Sequence, residues 1–362
     1  MEDSFVCEAL VIQSHRGSYT VRYAQNALHL LALESHEKRH FIIDANVVAI
    51  YHEVLNPIIS GSSALVIEAT ESAKTLDRFT GYVEALVSQS MRRDHRLIAI
   101  GGGITQDITA FLATTLLRGV AWEFYPTTLL AQADSCIGSK SSINVGPVKN
   151  ILGTYCPPNQ ITIDPDILKT LKEVDFRSGI GEILKVHAIA GPSHYDEIAA
   201  VQDQLKTDHN LLRYFINRSL EIKKTFIESD EFDTGPRNVM NYGHSFGHAI
   251  EAATDFFVPH GIAVTIGMDL ANHVAMQLGH VSDDHFNRMH PTLMKNSEGF
   301  HTVEVPRDRF FAALSKDKKN IGTQLSLILL DAAGLPKRTL IDNSEEFCTI
   351  CNNYFLDVLP YG

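Results

Sequence analysis

From about residue 40 to 165, short apolar runs rich in β-branched residues alternate with stretches of helical period. In order they are "HFIIDANVVAIY", "SALVIEA", "DRFTGYVEALVSQSMRR", "HRLIAIGGG", "TQDITAFLATTLLRG", "AWEFYPTT" and "NQITID". Strand, helix and strand in turn is the rhythm of a parallel sheet with helices on its faces. Beyond Pro165 the strands nearly vanish. "PDILKTLKEV", "RSGIGEILKVHAIAG", "HNLLRYFINRSLEIKKTFIES", "NVMNYGHSFGHAIEAA" and "GIAVTIGMDLANHVAMQLG" all repeat at the helical period. The pattern therefore predicts an α/β domain at 1–165 followed by a mostly α-helical domain at 166–362. The opening "EALVIQSHRGSYTVRYAQNALHLL" alternates like a hairpin and is expected to flank the sheet.

Length and composition fit two domains: 362 residues, 44% of them hydrophobic, can bury a core in each. The absence of an 18-residue apolar run and of a basic-then-apolar start in "MEDSFVCEAL" makes a cytoplasmic protein the expectation. A formal net charge of −12 excludes nucleic acid and anionic membrane as the main partner, since both demand clustered Lys and Arg. Five cysteines form no disulfide framework, and the "CTIC" pair, Cys348 and Cys351, lacks the companions of a zinc site and is read as helix packing.

Four stretches carry candidate chemistry. In "LIAIGGGITQD" a strand runs into three glycines and a helix beginning near Thr105, a Rossmann-like arrangement for a pyrophosphate; Gln106 stands where a third glycine of the full pattern belongs. Asp44, after "HFII", sits where an acid can hold a ribose hydroxyl. In "FRSGIGEILKVHAI", Glu182 and Lys185 share a helical face; the apolar residues around them argue against a simple surface ion pair. In "RNVMNYGHSFGHAIE", read as one helix turning about 100° per residue, Arg237, Asn241, His244 and His248 return to within roughly 40° of one another as a polar ridge. His260 follows in "FFVPHGIAV", and a carboxylate with two or three imidazoles from separate helices suits Zn²⁺. Finally Arg118, Lys140, Lys149 with Asn150, and Lys318 with Lys319 lie in turn-like segments that could surround a phosphate.

Over Asp44 to Gly334 these residues resemble 3-dehydroquinate synthase and its sister sugar-phosphate cyclases. The matching stretches are "GGGITQDITAFLATTLLRGV", "PTTLLAQADSCIGSK", "KNILGTYCPP", "RSGIGEILK", "ESDEFDTGPRNVMNYGHSFGHAIE", "HGIAVTIGM" and "DKKN". The resemblance implies Glu182, His244 and His260 as ligands of Zn²⁺, Co²⁺ or another divalent cation. It implies NAD on Asp44, Glu71, Lys74, Gly102, Gly103, Asp107, Thr127, Thr128 and Leu130. Asp134, Lys140, Lys149 and Asn150 would line the floor between cofactor and substrate. Lys185, Lys223, Asn241 and His248 would address substrate hydroxyls and proton transfers. Arg118 and one of Lys318 and Lys319 would join Lys140 and Asn150 around a phosphate, and the chain would form a homodimer.

The implied reaction oxidises a ring hydroxyl, eliminates phosphate, returns the hydride and closes a carbocycle by an aldol step. Arg237, with Lys223, favours a substrate bearing a carboxylate, namely the seven-carbon keto acid phosphate of dehydroquinate synthase. The alternatives are a sister cyclase acting on an amino analogue, sedoheptulose 7-phosphate or glucose 6-phosphate, and an iron-type alcohol or glycerol dehydrogenase. Two residues depart from the family pattern: Ser139 replaces a glycine before Lys140, and Ile262 replaces a glutamate after His260 and Gly261. Both leave room for an altered substrate.

Overall fold

The computed structural model describes residues 9–61, 63–146 and 148–361. The residues on which the expectation about a secretory leader mostly rests, with Cys7, lie outside that description. The chain divides into two compact units. The first comprises Met1–Leu171 with Lys223–Phe232, and the second Lys172–Ile222 with Asp233–Gly362. The division expected after residue 165 thus falls six residues later, and a ten-residue segment from within the helical half groups with the first unit.

The first unit is built on strands β1 (Leu10–Ile12), β2 (Tyr19–Tyr23), β3 (Arg39–Asp44), β4 (Ser63–Ile67), β5 (Arg96–Gly101), β6 (Ala121–Pro126), β7 (Lys140–Val145), β8 (Val148–Tyr155) and β9 (Gln160–Ile163). Its helices are α1 (Ala27–Leu33), α2 (Ala45–Ile50), α3 (His52–Gly61), α4 (Leu76–Ser88) and α5 (Gly103–Thr115). Seven strands form one sheet in the order β1-β2-β9-β6-β5-β3-β4. All neighbours are parallel except β1, which pairs antiparallel with β2 at the edge, as the alternating start of the chain suggested. Phe41, Ile42 and Ile43 of β3 and Leu97 to Ile100 of β5 are fully buried, as central parallel strands covered on both faces must be. One face packs Phe41, Ile43, Ile98 and Ile100 against Leu28 and Leu31 of α1 and Leu55 and Ile58 of α3. An antiparallel ribbon of β7 and β8, which the turn-like segments around Lys140 and Lys149 did not suggest, stands apart from this sheet.

The second unit holds α6 (Glu173–Ala190), α7 (Pro192–Ala199), the start of α8 (His209–Ser229), α9 (His244–Ala253), α10 (His260–Gln277), α11 (Asp283–Asn296), α12 (Arg307–Ser315) and α13 (Glu345–Asn353). The expectation that strands nearly vanish here needs correction. Gln324–Leu330 (β10) and Pro336–Asp342 (β11) form an antiparallel hairpin, because "LSLILL" is too apolar and too short to be told from a buried helical turn by period alone. Cys348 and Cys351 lie on α13 as free thiols, Cys351 buried. Among the described residues no helix is long and apolar enough to cross a membrane.

Helix α10 is the axis of this unit. Every residue from Gly261 to Ala275 is buried, the condition of a helix covered on all sides. Two glycines let neighbours approach its backbone. A Cβ on Gly261 would meet the Ser178 carbonyl oxygen of α6 at 1.9 Å, and one on Gly267 would meet the Gly243 carbonyl oxygen beside α9 at 2.1 Å. Both obstacles are main chain, which cannot swing away. Gly267→Ala is accordingly expected to lower the free energy of unfolding by about 1–3 kcal/mol through overpacking. The reference is Gly81→Ala in α4, exposed and with nothing within 4 Å of an added Cβ, which is expected to raise it by ~0.5–1 kcal/mol. Urea denaturation measures both, and equal effects would contradict the close crossing.

Candidate active site

The crossing of α6, α9 and α10 brings the predicted ligands together. Glu182 and Lys185 of α6 are 1% and 2% exposed, which rules out a surface ion pair; the Lys185 ammonium donates to Glu182 Oε2 at 2.5 Å. Glu182 Oε1 lies 3.3 Å from His260 Nε2 and 3.9 Å from His244 Nε2. One ring nitrogen from each of His244, His248 and His260 falls within 4.8 Å of the others. Secondary contacts orient two of these rings: His244 Nδ1 meets the Tyr242 carbonyl oxygen at 3.2 Å, and His260 Nδ1 meets Glu251 Oε2 at 3.1 Å.

The electrostatics of this cluster suit a cation. Burial first, then the positive field of Lys185 and the neighbouring imidazoles, pushes His244 well below the ordinary histidine range, so its ring is neutral and keeps a lone pair. At His260 burial works against charge, but hydrogen bonds to Glu182 and Glu251, and their negative charge, outweigh it and raise the imidazole to about 10. Glu182 thus draws positive charge to the point where the rings meet, which a divalent ion would supply. A buried carboxylate and two or three imidazoles are donors of the right number and kind for Zn²⁺ or Co²⁺.

The single helical ridge from Arg237 to His248 does not exist. Pro236–Asn241 is a 3₁₀ turn, Tyr242 is extended at ψ 129, and Gly243 takes a left-handed φ of 75 before α9 begins. The physical reason lies in α10: a Cβ on Gly243 would meet the Val264 carbonyl oxygen and Met268 Cγ, each at 2.6 Å. Only His244 and His248, four apart on α9, keep the predicted relation. Arg237 is nonetheless buried, and the Asn241 amide nitrogen donates to the Asn238 carbonyl oxygen at 3.0 Å.

In the same unit, Ser245 Oγ donates to Asp317 Oδ2 at 3.0 Å, and Asp317 Oδ1 accepts from the Lys319 main-chain N–H at 3.0 Å. This clasp ties the "DKKN" segment to α9. The Lys319 ammonium lies 3.5 Å from Asp317 Oδ2 and acts on the His244 and His248 rings, whereas Lys318 is exposed. Ile262 is fully buried in α10.

The first unit gathers most of the residues expected to hold NAD. Helix α5 begins at Gly103 rather than near Thr105, with Gly102 at its N-cap. Its first main-chain N–H groups have no partner within the helix and suit a pyrophosphate. The space a Cβ would need on Gly101 and Gly102 is taken by Thr105 Oγ1 at 2.3 Å and Thr128 Cγ2 at 3.0 Å, while Gly103 is open, with Ser135 Oγ 3.8 Å away. Gln106, in place of a third glycine, is buried and donates to the Ser135 carbonyl oxygen at 2.6 Å, locking α5 to the turn Ala131–Ser135. The Thr127 N–H donates to the Gly101 carbonyl oxygen, and Thr128 Oγ1 accepts from the Ala131 N–H; Leu130 caps that turn.

Around the β7–β8 ribbon, Lys74 donates to Asp107 Oδ2 at 2.8 Å and to Asn150 Oδ1 at 2.9 Å. Asp107 Oδ1 accepts from the Ser142 N–H, and Asn144 donates to Glu71 Oε2 at 2.8 Å. Burial raises the Asp107 carboxyl, and Lys74 opposes the rise. Lys140 and Lys149 are exposed on the ribbon. The Asp44 carboxylate accepts from the Asn46 N–H at 2.9 Å and so caps α2. Lys223 donates to the Asp134 main-chain oxygen at 2.6 Å and pairs with its carboxylate. Arg118 is exposed in the turn Leu116–Arg118 at φ 67; among the described residues no hydrogen bond or ion pair joins it to Lys140 or Asn150.

Sequence reasoning missed Asn144, Ser142, Asp317 and Glu251. Glu251, three residues after His248 on one helical face, was the detectable member; the others depend on a ribbon and a turn with no periodic signal.

A family model described as 3-dehydroquinate synthase N-terminal matches residues 64–178, and one described as 3-dehydroquinate synthase C-terminal matches 179–320. The 3-dehydroquinate synthase of Thermoanaerobacter pseudethanolicus is 32% identical over 348 residues, 93% of this chain and 98% of that one. That of Alkaliphilus metalliredigens is 31% identical over 353 residues, 96% and 99% of the two chains. Among solved structures, 2-epi-5-epi-valiolone synthase from Streptomyces hygroscopicus subsp. jinggangensis 5008, with NAD⁺ and Zn²⁺ bound, superposes at a TM-score of 0.80 with 26% identity, covering 93% of this chain and 96% of that one. An iron-containing alcohol dehydrogenase superposes at only 0.55, with 15% identity, over 94% and 98% of the chains.

The Lys74–Asp107 pair gives a prediction independent of any ligand. With Lys74 4% exposed, Lys74→Met strands a carboxylate that is only partly solvated and is expected to cost about 1–3 kcal/mol of stability. Adding Asp107→Asn should recover part of it. A double-mutant cycle by urea denaturation with no coupling between the two sites would refute the pairing.

Proposed function

The chain belongs to the 3-dehydroquinate synthase family, an enzyme family, and on that premise we propose that it is a dehydroquinate synthase proper, converting a seven-carbon keto acid phosphate to a carbocycle with release of phosphate. The observation that carries the reading is the meeting of Glu182, His244 and His260 beside Lys185 in one unit. Glu182, His244 and His260 would hold the divalent cation; Gly102, Gly103, Asp107, Thr127 and Thr128, with Asp44, Glu71, Lys74 and Leu130, would hold NAD. When bound, the cation supplies Lewis acidity and NAD a hydride acceptor that is regenerated, so no net oxidation results.

The chain's own residues do the rest. Lys185, its ammonium fixed by Glu182, donates to a substrate oxygen and stabilises the charge that grows there. His248, exposed beside the other two rings, takes and returns a hydroxyl proton at a ring nitrogen. Asn241 offers its amide oxygen to a second hydroxyl. Of the two lysines, Lys319 rather than Lys318 is the one suited to a phosphate, because the Asp317 clasp holds it against α9. Lys223 and Asp134 serve the substrate as a pair.

Arg237 supports the choice of substrate. It is 6% exposed, in the turn that carries Asn241, and a buried guanidinium offers a substrate carboxylate a rigid two-pronged site. The relatives named 3-dehydroquinate synthase match at 31–35% identity over most of the chain, which agrees with that choice. A cytoplasmic homodimer is part of the same reading.

A substrate panel tests it: the keto acid phosphate, its amino analogue, sedoheptulose 7-phosphate and glucose 6-phosphate, assayed by inorganic phosphate. The keto acid should be preferred, without accumulation of NADH; net NADH formation would favour a dehydrogenase. Arg237→Ala should cost the keto acid about 1.5–3 kcal/mol in kcat/KM and the sugar phosphates much less. Equal loss on both would discredit the carboxylate argument. A chelator should abolish turnover, and full activity in verified metal-free protein would refute the metal assignment.

A further inference from the structure

Glu182 asks both His260 and His244 for the same atom, Nε2, and that requirement has a cost. An imidazole can present Nε2 as a lone pair only if its proton sits on Nδ1, and in a site open to water the two tautomers interchange. At His244 the Tyr242 carbonyl oxygen, 3.2 Å from Nδ1, can only accept, so it selects the Nδ1–H form. At His260 no main-chain oxygen among the described residues does this. The group 3.1 Å from Nδ1 is Oε2 of Glu251, whose side chain is 14% exposed on α9.

Resting on the metal reading above, we infer that Glu251 is a positioning residue: its carboxylate accepts from His260 Nδ1 and so aims the Nε2 lone pair at the point where Glu182 and His244 converge, raising affinity for the divalent cation. His260 needs this more than His244 does. Its ring is 36% exposed against 14% for His244, so packing alone holds it less firmly. Glu251 also leaves α9 on the face that carries His248, so one helix supplies both the second imidazole and the support of the third. Because Glu251 meets Nδ1, it acts through His260 and does not itself complete the Glu182, His244 and His260 set.

The test compares wild type, Glu251→Ala and Glu251→Gln. Zn²⁺ affinity is measured by competition with a chromophoric chelator, and NMR follows the His260 Nδ1–H proton of the Zn²⁺-loaded chain. Glu251→Ala should bind Zn²⁺ about 10–100-fold more weakly and lose the protected N–H signal to solvent exchange. Glu251→Gln, whose amide oxygen still accepts from Nδ1, should keep that signal and lose less affinity. A purely structural role would lower the melting temperature of all metal-free variants without separating Ala from Gln in affinity, and that result overturns the inference, as does a Glu251→Ala chain that matches wild type in affinity and N–H signal. A wild-type chain that takes up no divalent cation overturns the metal reading itself, and this inference with it.

Discussion

The close approach of main chain to main chain along α10 is the constraint on which the second unit depends. Gly261 against Ser178 and Gly267 against Gly243 set helix separations shorter than any side chain would allow. Those separations are what bring Glu182 of α6 to within 4 Å of both His244 of α9 and His260 at the first turn of α10. A methyl group at either crossing would meet a main-chain oxygen, at 1.9 Å on Gly261 and 2.1 Å on Gly267, and would force apart the helices that carry the ligands. Stability and chemistry are here one geometric requirement.

Burying Glu182, Lys185 and Arg237 is expensive, and the fold meets the expense by matching charge locally. Lys185 answers one oxygen of Glu182 and the imidazoles answer the other, while Asp317 balances Lys319 and anchors it to Ser245. The result is a cluster poised to hold a cation, with a neutral His244 and a carboxylate on each side of His260.

The first unit shows the same economy. Gly101 and Gly102 are required by threonines that press on them, and the helix N-terminus they open onto is the feature that suits a pyrophosphate. Gln106, which broke the expected glycine pattern, proves to be a strut to the turn Ala131–Ser135. The β7–β8 ribbon is held to α5 by Lys74, Asp107, Asn150 and Ser142, so residues far apart in sequence form one polar surface.

Period and spacing were enough to determine the parallel sheet, the main helices and the relation of His244 to His248, because these depend only on local geometry and on which face must be buried. Sequence spacing placed His260 near the other histidines, but the likeness to a known family supplied the specific set of Glu182, His244 and His260, which no local rule could. Tertiary structure alone decided the rest. The Arg237–His248 stretch is broken at Gly243 because α10 lies too close for a continuous helix, a fact that period cannot carry. The β10–β11 hairpin was hidden because a short buried strand and a buried helical turn look alike in one dimension. Glu251, Asp317 and Asn144 take their meaning from partners 9, 72 and 73 residues away, set by packing and not by sequence neighbours.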